Sequence, residues 1–221
     1  MSDERVRAVE RVADRLRTEI LSGIRPAGSA LREEQIAAEL DVSRHTVRTA
    51  LSALVAERLA VSSPYRGVRV TTFGEAEVRE LQQLRLALES EAVRLLEERG
   101  DWTVEVTAPI DAAIDEMERV GRDGGDWVEV ERAHAHVHLA LVSAARSGRI
   151  TASYEALMTE LSLLLLHMRP VFESRDLASE HRQLLRDVRE RGAEAVREHI
   201  SASTVQLLGL RDEERPRVEP R

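Results

Sequence analysis

Four histidines are spaced so that they could share one centre. His134 and His138 lie four residues apart in "DWVEVERAHAHVHLALVSAAR", so a helix puts them on one face, beside Val137 and Leu141, while His136 points elsewhere. His181 opens the apolar face of "DLASEHRQLLRDVRER" with Leu184, Leu185 and Val188, and His199 stands near Val196 and Ser203 in "AEAVREHISASTVQLLGL". Imidazole nitrogens brought together from separate helices suit Zn, Ni or a related divalent transition metal. Hydrogen-bonded, the same side chains would serve as core or pocket residues, with His167 as a further pocket residue. A hydrolytic use of such an ion needs a general base, and no His-Glu-x-x-His helix is present. The expectation is therefore a binding site and not an enzyme.

A second constellation is basic. In "DVSRHTVRTAL", Asp41 to Leu51, Ser43 can cap a helix. Arg44 and Arg48 then fall one turn apart on one face, with Ser43, His45 and Thr46 at the same helical end. Val47, Ala50, Leu51 and Leu54 take the opposite face. A helix of this kind fits the major groove, where Arg contacts guanine O6 and N7 or clamps phosphate. Tyr65, Arg66 and Gly67 form a turn in which Gly lets the backbone approach and Arg reaches into a minor groove.

The elements that must position these groups follow from periodicity. Arg5 to Ile24 repeats apolar residues every three or four positions, and Gly23 with "RPAG" stops it. A second helix runs from about Glu33 to Leu40, and a third from Ser43 to about Arg58. "LAVSSPYRGVRVTTF" then alternates around a Pro64 to Gly67 turn, which reads as a β-hairpin. This is the layout of a winged helix-turn-helix. From Glu75 six amphipathic helices follow, separated by breaks such as "GRDGGD" and "SGR". In the first of them Val78, Leu81, Leu84, Leu88, Ala92 and Leu95 stand in register. The expected fold is mainly α: a winged domain over 1–72, an antiparallel helical bundle over 73–210, and a disordered tail over 211–221.

Charge separates the two parts. The 221 residues carry a net charge of −8. Residues 1–72 hold 12 Arg against 10 acidic groups, and the rest hold 20 Arg against 30. The two parts thus face different partners, and an acidic bundle would keep nonspecific DNA contact confined to the winged part. No Cys is present, which fits a reducing cytoplasm. The N-terminal "MSDERVRAVERVADRLR" lacks a signal peptide's apolar core, and "LSLLLL" is far shorter than the roughly 18 apolar residues of a membrane span. A soluble cytoplasmic protein without a membrane partner is expected.

The run "ILSGIRPAGSALREEQIAAELDVSRHTVRTALSALVAERLAVSSPYRGVRV" resembles the DNA-binding domain of the GntR family of bacterial transcriptional regulators. The match includes the loop of Ser22, Gly23, Pro26 and Gly28, the "VSR" turn and the Arg-Gly wing. The resemblance implies that Arg32, Arg44, Thr46, Arg48 and Gly67 contact DNA. His45-Thr46 stands where the family usually has Thr-Pro, and Thr49 where it often has Glu.

Residues 75–210 are similar to the C-terminal FCD ligand-binding domain of the FadR subfamily. "RLALESEAV" matches its first helix, with Arg85 and Glu89. "HAHVHLALVSAARSGRI" resembles its His-bearing motif, with His138 at the family His. "EHRQLLRDV" and "REHISAS" resemble the segments carrying the later histidines, here His181 and His199. Many members bind a divalent metal through one Asp and three His, and small carboxylates complete the coordination. Here His134 stands at the Asp position and His199 comes one turn early. A four-His site would be more cationic than the usual one and would select anionic effectors. Without metal, Arg85, His138 and His167 would line an effector pocket. Together these readings give a homodimeric repressor of double-stranded operator DNA, released by a small carboxylate.

Overall fold

The computed structural model describes residues 3–167 and 176–213. Side chains are described for 4–166 and 176–209. The first elements in the chain are α1 (Asp3–Leu21), α2 (Glu33–Leu40), α3 (Arg44–Ala56), β1 (Ala60–Ser63) and β2 (Gly67–Val70). They are followed by α4 (Glu75–Arg99), α5 (Val104–Arg122), α6 (Trp127–Ala144), α7 (Gly148–His167), α8 (Leu177–Arg191) and α9 (Ala193–Glu213). The fold is the winged helix-turn-helix with a two-stranded wing, followed by a helical domain, that the periodicities imply. Among the described residues no helix is long and apolar enough to cross a membrane.

In the winged part, α1 and α2 both pack on α3. The interior is made by Leu16 and Ile20 of α1, Ile36 of α2, Val47, Ala50, Leu51 and Leu54 of α3, and Leu59 just beyond it. α3 starts where Ser43 accepts a hydrogen bond from the Thr46 amide at 3.1 Å, a cap worth about 1 kcal/mol. It stops at Ala56, two residues before the sequence expectation. Arg58 adopts φ 59°, and the Leu59 amide then reaches back to the Leu54 carbonyl at 3.0 Å. That left-handed residue with its long reverse bond closes a helix. The register of β1 and β2 pairs Ala60 with Val70 and Ser63 with Gly67. The loop before α2 ties to β2 through Leu31 N to Val68 O at 2.8 Å and Gly28 N to Val70 O at 3.0 Å.

In the helical part, α5 packs on α6 and α8, and α4 on α6 and α9. Asp126 and Glu129 form a reciprocal capping box that starts α6. The buried face of α4 corrects the register expected from its leucines. Val78, Leu81, Gln82, Arg85, Glu89, Ala92, Val93 and Leu96 point inward, whereas Leu84 is 48% exposed. The helix is turned so that one Arg and one Glu take core positions. Such burial is sustained only where every charge is hydrogen-bonded.

Among the described residues, two compact groupings emerge. One holds the chain up to Thr72 together with Thr159–His167, and the other holds Phe73–Met158 and the residues beyond 167. The end of α7 thus groups with the first part, although the sequence places it in the bundle. α9 runs on to Glu213, past the Leu210 end expected from sequence. Residues 214–221, the rest of the expected tail, lie outside the described residues.

Candidate functional site

The outer face of α3 carries the first site. Arg44 and Arg48 are 58% and 61% exposed, as a groove-reading pair requires. Each is met by an acidic residue from the first turn of α2. Arg44 Nη1 lies 2.7 Å from Glu34 Oε1, and Arg48 donates to both oxygens of Glu33, from Nε at 2.9 Å and Nη2 at 2.8 Å. Exposed ion pairs contribute roughly 0–1 kcal/mol, so an anionic ligand can replace these partners at little cost. Sequence reasoning missed the pairing. Its signal was two adjacent acids opening a helix that must pack on α3.

His45 is exposed beside the two arginines. Thr46 is buried, with its hydroxyl 2.8 Å from Ser43 Oγ, so in this structure both side chains serve the helix cap. Arg32 is exposed immediately ahead of α2, and Arg66 and Gly67 are exposed at the wing tip. There Tyr65 at φ 64° and Gly67 at φ 70° shape the turn. The left-handed value costs Gly nothing.

The second site lies in the helical part, where α4, α6, α7, α8 and α9 each contribute a side chain. His134 and His138 from α6 and His181 from α8 are buried, and one ligand nitrogen from each lies within 4.8 Å of the others. The His199 ring on α9 stands 5.1 Å from that of His181 and 5.4 Å from that of His138, centroid to centroid. The four histidines singled out by spacing are therefore neighbours. Arg85 joins them, with Nη2 2.8 Å from His138 Nε2 and 3.1 Å from Nδ1. His167 falls outside the described side chains.

The partners of these rings assign their protons. His181 Nδ1 lies 2.6 Å from the Leu177 carbonyl, which only accepts, so Nδ1 carries the hydrogen and Nε2 a lone pair. His138 Nδ1 lies 3.1 Å from Glu89 Oε2, and the Arg85 donor lies nearer to Nε2 than to Nδ1, so the same assignment follows. The two Nε2 atoms stand 3.0 Å apart with no proton between them, and Arg85 Nη2 at 2.8 Å donates to the His138 lone pair. Burial holds His134, His138 and His199 well below the usual histidine range, and the Arg85 charge and neighbouring imidazoles add to it. Neutral imidazole is the form that coordinates a divalent transition metal. The donor set fits such an ion.

Glu89 and Tyr154 complete the cluster. Glu89 Oε1 accepts from Arg85 Nε at 2.7 Å and from Tyr154 Oη at 2.8 Å. Burial works against the Arg85 charge, but Glu89 outweighs it and the guanidinium stays ionised. Burial and Glu89 together push the Tyr154 hydroxyl well above its usual range, so it remains a donor. Glu89 was legible as a charge four residues from Arg85 on a helix with an apolar face. Tyr154, a lone tyrosine in α7, had no such signal.

An exposed arginine pair on the Ser43-capped helix α3, a Gly-tipped wing and a helical domain with a buried imidazole cluster define a winged-helix regulator with a ligand-binding domain. Residues 8–70 match the model for bacterial regulatory proteins of the gntR family, and residues 80–204 match the FCD domain. The chain belongs to the GntR family of transcriptional regulators and carries an FCD domain. It is 34% identical to the HTH-type transcriptional regulator BphR of Paraburkholderia xenovorans, over 91% of this chain and 86% of that protein. It is 30% identical to a probable D-xylose utilization operon transcriptional repressor of Paenarthrobacter nicotinovorans, over 88% and 84%. The crystal structure of a putative transcriptional regulator GntR from Rhodococcus sp. RHA1 superposes with a TM-score of 0.76 at 26% identity, covering 91% of this chain and 97% of that one.

Proposed function

We propose that the chain is a homodimeric repressor that leaves its operator when a small carboxylate binds the helical domain. The observation that carries the effector reading is the convergence of three buried histidine nitrogens within 4.8 Å, beside a charged, buried arginine. His134, His138 and His181 would hold a divalent Zn or Ni ion, with His199 as the adjacent fourth imidazole. Such an ion would supply a fixed positive centre for a carboxylate. Arg85 supplies a second cation, and its guanidinium suits a carboxylate because it donates in a planar fork. Kinship with a named operon repressor supports repression. At the DNA, Arg32, Arg44, His45, Arg48, Arg66 and Gly67 form the contact surface, with Ser43 and Thr46 fixing the start of the reading helix. A two-fold dimer would place two such helices about one turn of DNA apart.

The response is a linkage. An effector that binds one arrangement of the dimer better than another changes operator affinity by that difference. One observation favours a metal-free version of the same pocket: Arg85 Nη2 already lies 2.8 Å from the His138 Nε2 lone pair. Selection of bound fragments from genomic DNA would supply the operator. Titration of that complex with a panel of small carboxylates, with and without added zinc, then separates the two versions. Release by a carboxylate only with zinc supports the metal-centred site, and equal release without zinc supports the metal-free pocket. No release by any member of the panel would contradict the effector reading.

A further inference from the structure

Glu89 does more than balance Arg85. It is fully buried, and its two oxygens have separate duties. Oε1 accepts from Arg85 Nε at 2.7 Å and Tyr154 Oη at 2.8 Å, so two donors from two helices fix that end of the carboxylate. Oε2 is thereby aimed at His138 Nδ1, 3.1 Å away. We infer that Glu89 is the positioning residue that commits His138 to the tautomer protonated on Nδ1, and so presents the Nε2 lone pair to the centre shared with His134 and His181. A neutral imidazole has one N–H and one lone pair, and a partner that can only accept fixes the N–H. Arg85 Nη2, a donor 2.8 Å from Nε2 and 3.1 Å from Nδ1, acts in the same direction by donating to Nε2. His181 reaches the same state by a different route, through the Leu177 carbonyl of its own helix at 2.6 Å. The inference rests on the metal reading for its purpose and not for its test.

In Glu89→Gln the carboxylate becomes an amide, with one accepting oxygen and one donating NH2. Arg85 Nε cannot accept, so the amide oxygen must take the Oε1 position. The amide NH2 then faces His138 Nδ1, which has to become the acceptor. The proton moves to Nε2, where it displaces the Arg85 Nη2 donor from its 2.8 Å contact, and the lone pair turns away from the shared centre. Glu89→Asp keeps an acceptor and should keep the native tautomer.

The test uses the full-length, metal-free protein labelled with 15N-histidine. Long-range proton–nitrogen correlation spectra report which nitrogen of His138 is protonated, with His138→Gln used to assign the ring. The native chain should show Nδ1–H, Glu89→Asp the same, and Glu89→Gln should show Nε2–H. Zinc affinity, read by competition with a chromophoric chelator, should fall by about 10- to 100-fold in Glu89→Gln and far less in Glu89→Asp. A native His138 protonated on Nε2 would overturn the inference without any variant having to fold. So would Glu89→Gln that keeps Nδ1–H. If the native chain binds no zinc while the tautomers behave as stated, the metal reading fails and the positioning role of Glu89 stands.

Discussion

Arg48 reaches solvent from the outer face of α3 with both Glu33 oxygens on its guanidinium. The pair is exposed and therefore weak, which leaves Arg48 free to exchange a carboxylate for a guanine edge or a phosphate. Arg48→Ala should weaken operator binding by about 1–3 kcal/mol if the side chain reads a base. Fluorescence anisotropy on operator and scrambled duplexes measures this. A loss confined to the operator marks base readout, an equal loss on both duplexes marks phosphate contact, and unaltered affinity on both removes the role. At this scale much of the site was legible. His134 and His138 announced a shared face by their spacing, and His181 shared a face with leucines that all turned inward. Glu33, Glu34 and Tyr154 were not, because each acts through a neighbour distant in sequence: Glu33 is 15 residues from Arg48, and Tyr154 is 65 from Glu89.

Among the elements, α4 shows where pattern reading stops. Its leucines allow more than one inward face, and a tally of apolar residues favours the one through Leu84. The structure takes the neighbouring face because the hydrogen bonds of Arg85 and Glu89 need interior partners, and those partners come from α6 and α7. Helix ends were easier where a cap is local, as at Ser43 and Asp126. They were harder where a left-handed residue ends the helix, as at Arg58. The junction of α8 and α9 depends on Gly192, which stands at φ 59°, ψ −140°. A Cβ there would fall 1.8 Å from Glu97 Oε1 of α4. Glu97 is flexible and can withdraw, but the backbone strain remains. Gly192→Ala should therefore lower stability by roughly 1–3 kcal/mol, seen as a lower urea midpoint. An unchanged midpoint would mean that the junction relaxes.

The whole molecule divides its charge between two tasks. Residues 1–72 hold 12 Arg against 10 acidic groups and the rest hold 20 against 30, a division that in the proposed reading confines DNA contact to the winged part. The order of elements made this architecture readable from the sequence, since helix, helix, turn, helix and hairpin leave few alternatives. The response to a ligand is read from the histidine cluster, because that is where buried charge, neutral imidazoles and a fixed carboxylate meet. The most direct test of that account is the metal content of tag-free protein, native and His138→Ala, measured by mass spectrometry. The account predicts one transition-metal ion per native chain and its loss in the variant, with operator binding retained by both. A native chain that folds, binds DNA and carries no transition metal, or a variant that keeps the native metal content, would contradict it.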